Sequence, residues 1–159
     1  MALWLHISIT NQQLKLMDGQ NCLVSYSVCT AKNGPGELKG SECTPRGWHY
    51  IRAKIGAGQP INTVFKGRRP TGEIYTAALH EAHPGRDWIL TRILWLCGLE
   101  KGKNRFGEVD TMSRYIYFHG SPPERFKGKP SSRGCICLRN EDMLEVFDRV
   151  PVYTKGLIS

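Results

Sequence analysis

Two cysteines, Cys135 and Cys137, lie two positions apart in the basic, glycine-containing stretch SSRGCICLRN, residues 131–140. A cysteine can ligate a metal, form a disulfide or act as a nucleophile, and its surroundings decide which. Two sulfur ligands without a second cluster do not close a tetrahedral metal site. We expect the two side chains to point to opposite sides of the chain, which also argues against a disulfide between them. Cys135 is then free for chemistry, and Cys137 points away from it.

His119 is the candidate base for the Cys135 thiol. It ends the apolar run RYIYF, and Gly120 lets the chain turn immediately afterwards, so we expect the imidazole at the rim of a sheet. A nucleophilic cysteine needs a base and a local charge that favours the thiolate. Arg133 is therefore predicted to lower the pKa of Cys135, and backbone amides around Gly134 and Cys135 are predicted to form an oxyanion hole. A purely structural histidine at the end of a strand is the alternative.

The stretch HEAHP, residues 80–84, resembles a zinc-protease motif but is one residue too short. The HExxH motif places two histidines on one helix face, whereas His80 and His83 are spaced more closely and a proline follows them. The neighbouring turn residues predict a loop. We expect neither a metal nor a cofactor.

The elements that must position the thiol and the imidazole are predicted to be mostly strands. Short apolar stretches alternate with turns rich in glycine and proline, such as NGPGELKG, TPRG, GAGQP and GRRPTGE, which is typical of a mainly β fold with one or two short helices. No repeat or linker divides the chain, so residues 1–159 are interpreted as a single domain. The predicted strands are Leu3–Thr10, Gln13–Met17, Asn21–Cys29, Trp48–Ile55, Ile74–Ala78, Trp88–Leu96 and Arg114–Phe118.

Helices are indicated at one place clearly and at another ambiguously. Glu141–Val150 is the clear helix, because Asn140 suits the N-cap and acidic residues occupy the first turn. Trp88–Leu96 fits either a buried strand or a helix, since its apolar character is continuous and Asp87 suits an N-cap. The long segment 64–87 is expected to contribute part of a lid.

The formal net charge of +8 favours an anionic partner, either a nucleic acid, an acidic polymer or a small ligand with several carboxylates. Because the basic residues are scattered, with local clusters only at Arg68–Arg69 and Arg125–Arg139, we predict no nucleic-acid partner. A non-catalytic basic protein that binds murein or nucleic acid remains the alternative from another class.

The N-terminal stretch MALWLHISITNQQLKL has neither a charged leader nor a small-residue cleavage site, and it alternates like a strand. No apolar run reaches the roughly eighteen residues that a membrane-spanning helix requires. We therefore predict a cytoplasmic monomer without a membrane span. A periplasmic protein whose leader has been removed is the alternative.

Several motifs together resemble the L,D-transpeptidase catalytic domain, the YkuD family. YIYFHG, followed after a short loop by SRGCICLRN, is similar to the family signature of His-Gly and then Ser-x-Gly-Cys. CTPRGWHYI resembles the family's Thr-Pro-x-Gly hairpin, and LTRILWLCGLE and NRFGEVDTMSRYIYFHG are similar to compact members. The resemblance covers roughly residues 3–154. It implies a β-sandwich or barrel-like catalytic domain.

The resemblance also implies roles for individual residues. Cys135 would be the acyl-accepting nucleophile, His119 its general base, and the carbonyl of Gly120 would orient the imidazole in place of a carboxylate. Ser132 and Gly134 would shape the nucleophile turn and the oxyanion hole. The remaining residues expected to contact substrate are Tyr117, Arg133 and Arg139.

Two positions depart from the family pattern. Arg133 stands where relatives often have histidine, and Cys137 stands where they usually have arginine. Because that arginine is thought to hold substrate or a loop, we expect Arg139 or Arg133 to substitute for it.

Family members attack the amide between the L-centre of a diamino acid, usually meso-diaminopimelate, and D-Ala in a peptidoglycan stem tetrapeptide. The resemblance thus implies a stem peptide or muropeptide substrate and a thioester on cysteine, which divides one amide cleavage into two easier steps. Water as acceptor gives an L,D-carboxypeptidase of wall recycling, which suits the expected cytoplasmic location. An amine acceptor gives 3→3 cross-links, and an L,D-transpeptidase is the alternative.

Overall fold

One mixed ten-stranded sheet forms the framework of the protein, seen in a computed structural model that describes residues 2–159. The strands are β1 Leu3–Ser8, β2 Gln13–Asp18, β3 Asn21–Ser27, β4 Gly47–Ile55, β5 Thr63–Lys66, β6 Arg69–Ile74, β7 Ile89–Gly98, β8 Tyr117–Gly120, β9 Ile136–Leu138 and β10 Lys155–Ile158. The helices are α1 Ala77–Ala82 and α2 Asn140–Arg149, with a 3-10 turn at Gly107–Val109. The mainly β prediction is confirmed.

The strand β7 organises the half of the sheet that carries the site. Leu94 pairs with Lys54 of β4 on one edge and with Phe118 of β8 on the other. Nearer the start of β7, Leu90 pairs with Val64 of β5 and with Gly120 of β8. Beyond β8 the short strand β9 adds in parallel. In the other half the order runs β3-β2-β1-β10-β4, and β10 pairs in parallel with β1.

The main hydrophobic core lies between the sheet and α2. Alternate residues of the strands point into it, as the period-two geometry of a strand requires. Phe118, Ile136 and Leu138 of β8 and β9 are fully buried, and Met143 and Val146 of α2 pack against them. Each such side chain contributes about 1.5–3 kcal/mol relative to an exposed one. The two strands that carry the candidate site are therefore anchored by their opposite face. Neither helix in residues 2–159 is long and apolar enough to cross a membrane.

Most of the predicted strands are present with ends shifted by a few residues, but two predictions near the site are wrong. Ile74–Ala78 is not a strand, because β6 ends at Ile74 and the Thr76 hydroxyl accepts a hydrogen bond from Leu79 N at 3.0 Å, which caps α1. The stretch GRRPTGE is not only a turn, since most of it forms β6. Trp88–Leu96 corresponds to the strand β7, so a helix there is ruled out.

The predicted helix Glu141–Val150 corresponds to α2, but its predicted cap is wrong. Arg139 occupies the N-cap position and makes no side-chain capping bond. Asn140 lies inside the first turn and is buried. Its side chain donates a hydrogen bond to Ser121 O instead of capping the helix.

Candidate active site

The strands β8 and β9 bring the two predicted catalytic regions side by side. His119 pairs with Cys137 in parallel register, and Phe118 pairs with Ile136. Paired residues of neighbouring strands point to the same face of a sheet. Phe118 and Ile136 enter the core, so His119 and Cys137 share the opposite face, which lines a cavity.

The Cys135 thiol lies one residue before β9 at the wall of this cavity. Its Sγ accepts a hydrogen bond from Tyr117 N at 3.4 Å and donates one to Tyr115 O at 3.4 Å. The side chain is half-buried. A backbone N–H aimed at the sulfur stabilises negative charge there, so Tyr117 N is placed to support a developing thiolate.

The turn before Cys135 is held by side-chain hydrogen bonds. Ser132 Oγ donates to Cys135 O at 2.6 Å and accepts from Gly134 N at 3.1 Å. Thr44 Oγ1 donates to Gly134 O at 3.0 Å. Gly134 has φ of +128° and a Cβ there would lie 3.1 Å from Cys43 O, so both conformation and space require glycine. Ser132 and Gly134 thus shape the turn, and the Gly134 N–H is already engaged within it.

The imidazole of His119 is oriented by the next residue in the chain. Its Nδ1 lies 2.7 Å from Gly120 O, and since a carbonyl only accepts, Nδ1 carries the proton. Nε2 is therefore the unprotonated nitrogen and is available as a base. In this structure Nε2 faces Cys137 Sγ at 3.6 Å.

The prediction that Cys137 points away from the site is wrong. Side chains two positions apart in an extended strand point to the same face, so Cys135 and Cys137 both line the cavity. Cys29 lines it too, because it bridges Cys137 across an antiparallel pair with two backbone hydrogen bonds of 2.9 Å. The His119 base thus faces a group of free thiols rather than a single one.

The prediction of a low pKa for Cys135 is also wrong. Burial raises the pKa of this thiol to about 12, Tyr117 N–H opposes the rise, Asp87 adds to it, and Arg114 lowers it. The predicted source of positive charge, Arg133, lines the cavity but is exposed at its rim. The pKa of Cys137 is raised in the same direction, chiefly by burial.

The pKa of His119 is lowered, chiefly by burial, against the opposing effects of the Gly120 carbonyl and Asp87. The resting pair is consequently a neutral thiol and a neutral imidazole. A neutral imidazole of this kind can take the proton of a neutral thiol only as the sulfur forms a new bond.

A cavity of about 580 Å³ opens in front of Cys135 and His119, and its lining has more cations than carboxylates, the latter being Asp87 and Glu124. Tyr117 lies in its wall, and its contact with substrate stays a prediction. Arg139 does not reach it, because its guanidinium packs 4.6 Å from the ring centroid of Phe126 beside a separate, smaller cavity. The cations that line the main cavity are Arg68, Arg114, Arg125, Lys127 and Arg133.

Four of these cations, Arg68, Arg114, Arg125 and Lys127, were not among the site residues predicted from the sequence. Arg68 lies in the expected lid segment, whose first part folds as the β5–β6 hairpin. Arg114 sits beneath the site and donates to Cys43 O at 2.7 Å. The sequence marks Arg68 only as part of the basic pair Arg68–Arg69 and does not mark Arg114, because folding brings distant segments of the chain together at the cavity.

A buried polar network supports the Gly120 end of the site. Asn140 Nδ2 donates to Ser121 O at 3.0 Å and to Asn62 Oδ1 at 2.9 Å, and its Oδ1 accepts from Thr91 Oγ1 at 2.7 Å. A Cβ at Gly120 would overlap the Asn140 oxygen. The network therefore fixes the backbone whose carbonyl orients the imidazole.

The HEAHP stretch lies apart from the thiol–imidazole pair. The predicted loop is partly helix, with His80 in α1 and His83 at its C-cap. His80 Nδ1 accepts a hydrogen bond from Trp88 Nε1 at 3.0 Å. Within residues 2–159, no three or more His, Cys, Asp or Glu side chains are grouped so that they could hold a metal ion.

This geometry defines a class of protein: a β-sheet domain in which a thiol and a neighbouring imidazole, held by a backbone carbonyl, share one cavity wall. The L,D-transpeptidase catalytic domain model matches residues 2–158, and the chain belongs to that family. None of the curated proteins is similar enough in sequence to match.

Solved L,D-transpeptidase structures share the fold. That from Xylanimonas cellulosilytica has a TM-score of 0.57 at 16% identity, over 99% of this chain and 60% of that one. That from Enterococcus faecium has a TM-score of 0.59 at 14% identity, over 100% of this chain and 50% of that one. L,D-transpeptidase 3 from Mycobacterium tuberculosis, solved with a faropenem-derived adduct, has a TM-score of 0.57 at 15% identity, over 99% of this chain and 60% of that one. The chain thus spans less than two thirds of each.

Proposed function

We propose that this protein is an L,D-carboxypeptidase that removes D-Ala from peptidoglycan stem tetrapeptides through an acyl-enzyme on Cys135. The proposal rests on two side chains that line one cavity wall. The Cys135 thiol accepts a hydrogen bond from Tyr117 N, and the His119 imidazole in the same cavity has an unprotonated Nε2. Membership of the L,D-transpeptidase family supports the substrate class.

The reaction begins when Cys135 Sγ attacks the carbonyl carbon of the amide that precedes D-Ala. His119 Nε2 takes the thiol proton and then gives it to the departing amine, so the C–N bond breaks as a thioester forms. Water next attacks the thioester, with the same nitrogen accepting its proton, and Sγ leaves with a proton from the imidazolium. The Gly120 carbonyl holds the ring through both steps and favours its charged form.

The imidazole must turn its lone pair from Cys137 to Cys135 for the first step. Both sulfurs line the same cavity as the imidazole. Substrate that displaces water from the cavity strengthens the interactions within it.

Water is proposed as acceptor because cross-linking requires polymeric murein, whereas a cytoplasmic enzyme would meet recycled wall peptides. The second candidate is 3→3 cross-linking, which the names of the structurally similar proteins favour.

Product analysis tests this choice. The protein is incubated with a diaminopimelate tetrapeptide, with and without an excess of acceptor stem peptide, and the products are weighed by mass spectrometry. We expect loss of one D-Ala in both reactions, and no product from Cys135→Ala. A joined dimer that consumes the acceptor would replace the hydrolytic proposal with transfer.

A cytoplasmic location and a monomeric state complete the proposal. Recycled wall peptides are the substrates that a cytoplasmic enzyme of this kind would meet, and they carry several carboxylates suited to the cations that line the cavity. Cell fractionation and the sedimentation of the purified protein test these two points.

A further inference from the structure

Arg68 is a cation at the cavity whose charge is not neutralised by the protein. It is half-buried, and no carboxylate in residues 2–159 lies within ion-pairing distance of it. By contrast, Arg114 donates to the carbonyls of Gly36, Glu37 and Cys43, and Arg125 to those of Pro84 and Arg86. Those two guanidinium groups are occupied by backbone, whereas Arg68 makes a single hydrogen bond.

The position of Arg68 is nevertheless well defined. Gly67 and Arg68 both have positive φ, 56° and 64°, at the tip of the β5–β6 hairpin, as a two-residue type I′ turn requires. The guanidinium lies 4.6 Å from the ring centroid of Tyr115 and 5.2 Å from that of Trp95. Such stacking holds a guanidinium plane while leaving its edge free for a carboxylate.

Tyr117 connects this cation to the reacting thiol. Its hydroxyl accepts a hydrogen bond from Arg68 Nη1 at 3.2 Å, and its backbone N–H donates to Cys135 Sγ at 3.4 Å. One tyrosine therefore separates the guanidinium from the sulfur. A side chain of similar length on the residue whose carbonyl is attacked can therefore reach Arg68.

We propose that Arg68 binds a free side-chain carboxylate on the acyl-donor residue and selects such substrates over those in which this carboxylate is a primary amide. The inference rests on the proposed function, since it concerns the same cavity and the same attacked amide. A guanidinium has five N–H donors and no acceptor, so it pairs with both oxygens of a carboxylate. A carboxamide offers one acceptor oxygen, and its NH₂ group opposes the cation.

The test compares two tetrapeptides that differ only in this carboxylate or carboxamide. The wild-type protein, Arg68→Met, Arg68→Lys and the matched control Arg69→Met, which changes the exposed neighbour in the hairpin, are assayed for kcat/KM. We expect the wild type and Arg69→Met to prefer the carboxylate by about tenfold or more, which is the effect of one charge-assisted pair. Arg68→Met should lose the preference by weakening only the carboxylate peptide, and Arg68→Lys should retain part of it.

Calorimetric binding of both peptides to the same four proteins, each carrying Cys135→Ala, separates this inference from the proposed function. If the wild type turns over neither peptide, the proposed function fails, while binding still measures the role of Arg68. A carboxylate preference in binding that Arg68→Met leaves unchanged would overturn the inference, and so would a wild-type protein that binds the two peptides equally.

Discussion

At the scale of single residues, the site is a neutral thiol and a neutral base rather than a preformed ion pair. Burial raises the pKa of Cys135 and lowers that of His119, so each group is uncharged near neutral pH. The sulfur of Cys137 lies 3.6 Å from His119 Nε2. A second thiol thus lies next to the base at rest, and in the proposed reaction substrate must direct the base to Cys135.

This description predicts how Cys135 reacts with iodoacetamide. Because its pKa is raised to about 12, its alkylation rate should be low at pH 7 and still rising at pH 10. The exposed Cys22 is an internal control in the same protein. Peptide mapping after timed labelling gives both rates. A Cys135 rate that levels off below pH 7 would show a thiolate and contradict the neutral pair.

At the scale of elements, the support behind β8 is the most sensitive feature. Asn140 bonds three partners at once, of which Thr91 and Ser121 are buried, and removing its side chain leaves these two and Asn62 without their bonds to it. Replacing Asn140 by alanine should therefore lower the free energy of unfolding by about 1–3 kcal/mol or more. It should also reduce kcat, because the 120–121 peptide loses its support. Urea denaturation and steady-state assays measure these effects.

The matched control for this change is Glu141→Ala at the adjacent, exposed position of α2. We expect it to change the free energy of unfolding by no more than about 0.5 kcal/mol, as at most surface positions. Equal stability and kcat for the two variants would show that the network does not support the site.

Strands with alternating apolar residues were predictable from sequence, since their own pattern carries the signal. The strand β6 was not, because its Arg, Pro and Gly residues are typical of turns and only pairing with β5 makes it a strand. Pro70 is tolerated there because β6 is at the edge of the sheet. The local motif likewise predicted Cys135 and His119 as site residues. It did not predict Arg68 at the same cavity, because pairing of β6 with β5 brings Arg68 there.

At the scale of the whole molecule, acid stability depends on buried histidine. His49 is fully buried, with Nδ1 2.9 Å from Gly47 O and Nε2 2.9 Å from Thr111 Oγ1. Burial lowers its pKa from 6.5 to about 4. The unfolded chain therefore binds more protons than the folded protein between these values, and stability present above pH 6.5 is lost as the pH falls towards 4.

Between pH 6.5 and pH 4, His49 alone lowers the free energy of unfolding by about 3 kcal/mol. The lowered pKa of His119 acts in the same direction. His49→Gln should be less stable at pH 7 but lose less stability between pH 7 and pH 4.5 than the wild type. Chemical denaturation at several pH values gives the free energy of unfolding of each protein as a function of pH. Equal pH dependence for the two proteins would exclude His49 as a source of the acid sensitivity.

In the proposed reaction Cys135, and not the neighbouring Cys137, carries the acyl group. To test this, the protein is mixed with a diaminopimelate tetrapeptide and quenched with acid within the first turnover, and the added tripeptidyl mass is located by fragmenting the peptide that contains both cysteines. We expect the adduct on Cys135, its persistence in Cys137→Ala and its absence in Cys135→Ala. An adduct on Cys137, or one that survives in Cys135→Ala, would contradict the proposed reaction.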